Sequence, residues 1–132
     1  MTELGWDERA QVRIVIADDE PTIRAALGEL LADAGYQVVG SAADGKSALD
    51  LIDSLHPAVA ILDHQMPQMT GIEVASDLKE RGSPVRVIVL SACDDTGLQV
   101  IAEKVAVDAY LVKGCSSRDI FASVDRAVRA LG

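Results

Sequence analysis

VRIVIADDE, residues 12–20, sets the frame for everything around it. Its first six residues form a short apolar run rich in β-branched side chains, as expected of a strand buried on both faces, and the run stops at three consecutive acids, Asp18, Asp19 and Glu20. Comparable runs recur at 36–42, 59–62, 85–90 and 109–112. Between them the apolar residues fall at helical spacing: Ile23, Ala26, Leu27, Leu30, Leu31 and Ala34; then Ala48, Leu51, Ile52 and Leu55; then Leu98, Ile101, Ala102 and Val105; and finally Ile120, Phe121, Val124, Ala127, Val128 and Leu131. A short helix after Thr70 completes the alternation.

Boundary residues agree with this division. Pro21 suits a first helical turn and Gly35 the end of that helix. Asp44 is placed to cap the second helix, Thr70 with Glu73 forms a capping-box pattern, and Ser116 with Asp119 repeats it before the last helix. The fourth helix lacks such an end, because no glycine follows Val105. Five strands alternating with five helices through short connections predict an α/β fold: a doubly wound, five-stranded parallel (βα)5 sheet in the order 2-1-3-4-5 with helices on both faces. Residues 1–11 read as an N-terminal tail and 12–132 as one domain.

Composition narrows the function. At 132 residues the chain suits a single domain, and 49% apolar with 25% charged residues is an ordinary globular balance. No apolar run approaches the ~18 residues that span a bilayer, and the polar start lacks a signal peptide's features, so a cytoplasmic location is expected. A net charge of −9 disfavours direct nucleic-acid binding. The charge is uneven: residues 1–66 carry 12 acids against 4 bases, while residues 67–132 carry 9 against 8. Carboxylates therefore gather in the first half. Cys93 and Cys115 follow adjacent strands, where a thiol pair is conceivable, but reduced thiols are the expectation.

In a doubly wound sheet, ligands collect where the carboxyl ends of strands 1 and 3 diverge. Strand 1 runs into Asp18 and Asp19, and strand 3 into Asp63. With neighbouring strands ~4.8 Å apart, these carboxylates can converge on one hard cation such as Mg²⁺. A solvated turn opening a helix is the plainer account of the acidic run, and the Asp at the end of the adjacent strand argues against it. Ser91 ends strand 4 with Ala92 next to it, and Lys113 follows strand 5, long enough to cross two strand spacings, ~10 Å. A carboxylate nucleophile, a cation site, a hydroxyl and an ammonium are the groups that neutralise a transferring phosphoryl group.

From Val12 to Leu131 the chain resembles the receiver domain of bacterial two-component response regulators. The resemblance is carried by ADDE at 17–20, LDHQMPQMTG at 62–71, SA at 91–92 and YLVK at 110–113. It implies that Asp63 is the phosphoacceptor. It further implies that Asp18, Asp19, Asp63 and the Gln65 backbone carbonyl hold Mg²⁺, that Ser91, Ala92 and Lys113 bind the phosphoryl group, and that Ser91 and Tyr110 are the switch pair. The implied partners are a sensor histidine kinase and a downstream protein or an output domain. The implied readout surface, also a possible homodimer face, is the fourth helix, fifth strand and fifth helix.

Two features depart from the family pattern. Gly114 stands where many members have proline after the lysine, so an ordinary trans link is expected, as in receivers attached to LuxR-like DNA-binding domains. Ala106 and Val107 replace the usual Gly-Ala before strand 5, which leaves the end of the fourth helix open. A stand-alone receiver is the expectation.

Two other readings compete. GSAADGKS at 40–47 matches the nucleotide-binding P-loop pattern, with Lys46 and Ser47 as its ligands, and VAILD at 59–63 resembles the strand that accompanies it. That reading leaves Asp18, Asp19, Ser91 and Lys113 without a role. The other is a receiver-like module not regulated by phosphorylation. His56 and His64 have no nucleophile beside them and are read as structural.

Overall fold

Alternate residues of the central strands face opposite ways, and this builds two apolar layers from one sheet. The computed structural model describes residues 3–92 and 96–130. Its strands are β1 (Arg13–Ala17), β2 (Gln37–Ala42), β3 (Val59–Asp63), β4 (Arg86–Ser91) and β5 (Ala109–Val112). Val15, Ala17, Ala60, Leu62, Val87 and Val89 belong to one buried cluster, and Ile14, Ile16, Val59, Ile61, Ile88 and Leu90 to the other.

The helices are α1 (Trp6–Arg9), α2 (Pro21–Asp33), α3 (Gly45–Leu55), α4 (Gly71–Glu80), α5 (Thr96–Val105) and α6 (Ser117–Arg129). The first apolar layer is covered by Ala48 and Ile52 of α3, Ile72, Val74, Ala75 and Leu78 of α4, and Ala102 of α5. The second is covered by Leu27 and Leu31 of α2 and by Ile120 and Val124 of α6. All five strands are parallel and ordered β2-β1-β3-β4-β5, as the alternation predicts.

The caps form where they are expected. Asp44 accepts from Ser47 N–H, Thr70 and Glu73 close a reciprocal capping box, and Ser116 accepts from Asp119 N–H. No peptide bond is cis among the described residues, so Lys113–Gly114 is trans. The end of α5 resolves differently from a glycine stop. Ala106 adopts φ +66° and Val107 N–H reaches back to Ala102 O at 3.2 Å, so an alanine occupies the left-handed position. Strands β3 and β4 each extend one residue beyond their apolar runs, which makes Asp63 and Ser91 the last residues of their strands.

The first residues are not a free tail. Helix α1 is a single turn that the periodicity does not announce, and Leu4 before it is buried in the α2–α6 layer. Cys93, with the thiol pairing it would enter, and Leu131, the last apolar position of the final helical stripe, lie outside the described residues.

Candidate functional site at the carboxyl ends of the strands

The register of the ladders dictates which side chains meet. Ala17 of β1 pairs with Leu62 of β3, so the residues one step beyond, Asp18 and Asp63, stand side by side. Asp63 in turn pairs with Leu90 and Ser91 with Val112, which brings Ser91 and Lys113 to the same edge.

Asp18 is almost wholly buried, at 1% exposure. Its N–H donates to Ala42 O at 3.0 Å, its Oδ1 accepts from Glu20 N–H at 2.9 Å, and its carbonyl accepts from Arg24 Nη1 at 2.7 Å. Those bonds fold the chain sharply into α2. Glu20 caps that helix through Thr22 N–H and is spent there, while Asp19 remains on the exposed rim.

Asp63 is 3% exposed. The loop behind it is pinned by His64 N–H to Leu90 O at 2.8 Å and Gly71 N–H to His64 O at 3.0 Å. A Cβ at Gly71 would lie 2.6 Å from Asp63 O, so only glycine lets α4 start this close to the strand end. Gly45 does the same for the neighbouring turn: its N–H donates to Pro67 O, and a side chain there would collide with the Met69 backbone. Sequence reasoning assigns no role to Gly71, Gly45 or Arg24. The two glycines sit inside the motifs, but the close approach they permit is between segments distant in sequence.

Lys113 Nζ lies 2.9 Å from Asp18 Oδ2 and 3.2 Å from Asp63 Oδ2. The ammonium crosses the two spacings from β5 to Asp63 of β3, as expected, and also reaches Asp18 one strand further on, after β1. Burial raises the Asp63 carboxyl above its ordinary range; Lys113 and the Gln65 N–H oppose this, and the Asp18 charge adds to it. For Lys113, burial disfavours the charged form, but the bonds to Asp18 and Asp63 together outweigh it and hold the ammonium charged.

One carboxylate oxygen from each of Asp18, Asp19 and Asp63 lies within 4.8 Å of the others. Three hard anionic oxygens against one ammonium leave a net negative pocket, two of its carboxylates desolvated. Asp18 Oδ2 has no hydrogen-bond donor of good geometry beyond its ion contact with Lys113. The donor set fits Mg²⁺ well: oxygen ligands only, few in number, with space for water on the Asp19 side. Gln65 is exposed on the adjoining loop, and its N–H donates to the Asp63 carboxylate.

Ser91 is buried at the end of β4, and its carbonyl accepts from Lys113 N–H at 2.7 Å; Ala92 is exposed beside it. Tyr110 pairs with Val89, two residues before Ser91, so the hydroxyl and the ring project from the same face of adjacent strands. The half-buried Tyr110 ring lines a groove of about 350 Å³ with Gln99, Ala102, Glu103 and Val107 of the α5–β5 region. His56 ends α3 in a left-handed conformation at φ +49°. His64, half-buried, directly follows the acceptor in the loop that its own backbone pins to Leu90 and Gly71.

The GSAADGKS stretch does not form a phosphate loop. Asp44 occupies the N-terminus of α3, taking Ser47 N–H at 2.7 Å and Ser47 Oγ–H at 2.9 Å, and Gly45 N–H is committed to Pro67 O. A carboxylate stands where an anion would need free amides.

Residues 14–125 match the family model described as the response regulator receiver domain. The chain is 38% identical over 117 residues to the transcriptional regulatory protein PdtaR of Mycobacterium tuberculosis, covering 88% of this chain and 56% of that protein. Among solved structures it is similar to the receiver domain of the putative response regulator NarL from Mycobacterium tuberculosis, with TM-score 0.78, 33% identity, and 91% and 92% of the two chains covered. It is also similar to a LuxR-family DNA-binding response regulator from Staphylococcus aureus, with TM-score 0.86, 28% identity, and 89% and 98% covered. The chain spans about half the length of the curated relatives it matches. No described helix is long and apolar enough to cross a membrane.

Proposed function

The chain belongs to the response regulator receiver domain family, and on that premise we propose that Asp63 accepts a phosphoryl group from the phosphohistidine of a sensor histidine kinase. The observation that supports this most directly is the single ammonium of Lys113 in contact with both buried carboxylates, Asp18 and Asp63. In the transfer, the P–N bond of the donor breaks as a P–O bond forms to the Asp63 carboxylate oxygen, and the imidazole leaves with its bonding pair.

Asp18, Asp19, Asp63 and the Gln65 carbonyl would hold Mg²⁺, which when bound spreads the charge of the phosphoryl oxygens. Lys113 holds a fixed positive charge at the same oxygens and orients the acceptor. Ser91 ends the neighbouring strand β4 with Ala92 next to it, and the Ser91 hydroxyl and Ala92 N–H would donate to the phosphoryl oxygens. Attack of water on the acyl phosphate would return the carboxylate and inorganic phosphate.

Phosphorylation adds charge and acceptor oxygens beside Ser91, drawing its hydroxyl toward Asp63 and leaving space for the Tyr110 ring on the same face. The two packings then differ at α5, β5 and α6, the surface offered to a downstream protein, an output domain or a second copy. This domain works in the cytoplasm beside its kinase and does not itself contact nucleic acid. Incubation with acetyl phosphate and Mg²⁺ tests the reading: an acid-stable, hydroxylamine-labile adduct should form and vanish in Asp63→Asn. An adduct retained at wild-type level in that variant would refute it.

A further inference from the structure

Asp125 of α6 is wholly buried, and two of its hydrogen-bond partners, Leu4 and Arg9, come from the first residues of the chain. Its Oδ2 accepts from Leu4 N–H at 3.0 Å and pairs with Arg9 Nη2 at 3.0 Å; its Oδ1 accepts the Tyr36 hydroxyl. Arg9 Nη1 also donates to Ala34 O at 3.0 Å, and the guanidinium stacks 4.8 Å from the Tyr36 ring centroid and 5.4 Å from that of Phe121. At the far end of α6, Arg129 Nη2 donates to Glu3 O at 3.1 Å. Residues 3–9 thus lie across α6 and tie it to the end of α2.

The attachment is mostly polar. Helix α1 buries none of its residues, Leu4 alone enters the core, and Trp6 stands 67% exposed. A segment held by so little apolar area detaches more readily than the sheet unfolds. Detachment strips a buried carboxylate of the Arg9 guanidinium and the Leu4 amide, so α6 cannot stay seated around Asp125 unchanged.

We infer that residues 3–9 form a detachable strap that holds α6 in its seat, with Asp125 as the latch. An event at the N-terminus, whether a bound partner or a cut, is then transmitted to α6. Because α6 begins four residues after Lys113 and belongs to the surface assigned above to output, this is a second input into that surface. The latch itself does not depend on the phosphoacceptor assignment.

Trp6 is the sole tryptophan, so its fluorescence anisotropy reports docking of the strap in the full chain. In Arg9→Met the anisotropy should drop toward that of a mobile segment, and α6 amides should exchange with deuterium at least tenfold faster while those of β1, β3 and β4 keep their wild-type rates. Tyr36→Phe, which removes one donor and keeps the ring, should give the same change in smaller measure. The inference is overturned if α6 exchange is unchanged once Trp6 is free, if Trp6 stays docked in both variants, or if α6 loosens only together with the sheet.

Discussion

Ala17 and Leu62 face each other across β1 and β3, and that one pairing determines that Asp18 and Asp63 emerge as neighbours at the strand ends. Both carboxylates are buried, and they share a single ammonium. The site therefore carries unbalanced negative charge that the fold tolerates for another purpose.

Removing one of these charges should relieve the fold. The Asp63 carboxyl is raised, chiefly by burial, so its ionisation destabilises the folded state, and stability is lost as pH rises through the raised value. In EDTA at neutral pH, Asp63→Asn should melt a few degrees above wild type, on the order of 1 kcal/mol. Millimolar Mg²⁺ should raise the wild-type melting temperature and move Asp63→Asn less. Calorimetry with and without the metal reads both.

Lys113→Met should behave in the opposite sense. Without the ammonium, Asp18 and Asp63 repel, so the variant melts below wild type in EDTA and recovers part of the difference in Mg²⁺. Labelling by acetyl phosphate should fall by about 10²-fold or more, because a positioned charge at the transferring group is lost.

Gly71→Ala probes the close approach behind the acceptor. With a Cβ 2.6 Å from Asp63 O, the loop and the strand end must separate, at a cost of ~1–3 kcal/mol in urea unfolding. Labelling should fall more than the folded fraction does, since the displaced atom belongs to the acceptor's own backbone.

Ala106→Gly should stabilise the protein. Ala106 holds φ +66° at the end of α5, where a Cβ costs ~1–2 kcal/mol that glycine does not incur. The gain is offset in part by glycine's extra freedom in the unfolded chain, leaving ~1 kcal/mol in urea midpoints.

Acid should weaken two caps together. The Asp44 carboxyl is held low by the Ser47 N–H and the Glu73 carboxyl by the Thr70 N–H. Their contribution is complete above the ordinary carboxylate range and is lost as pH falls through the lowered values. Asp44→Ala with Glu73→Ala should flatten the urea midpoint between pH 5 and pH 2 measured against wild type.

Much of this architecture is legible in local pattern. Strand runs, helix stripes and three caps are short-range features, and the acids, hydroxyl and lysine fall at strand ends because parallel strands all point the same way. What escapes local pattern involves distant partners. Asp125 looks like an ordinary polar position on an amphipathic helix until Leu4 and Arg9, more than a hundred residues away, are seen around it. Gly71 and Gly45 are recognisable as motif residues, yet their purpose is to clear space for backbone from another segment. Ala106 shows the reverse case: the missing glycine leaves the stop of α5 unannounced, and the turn forms regardless.

The bond between Arg129 and Glu3 brings the beginning and the close of the described polypeptide to one spot. Helices here run antiparallel to the strands, so that spot lies at the opposite rim of the sheet from the aspartates. A fluorescent protein or affinity handle grafted at either extremity would hang there, clear of the approaching donor, and rejoining the extremities by a short linker while opening a distant turn would give a permuted chain with the same rim of acids intact.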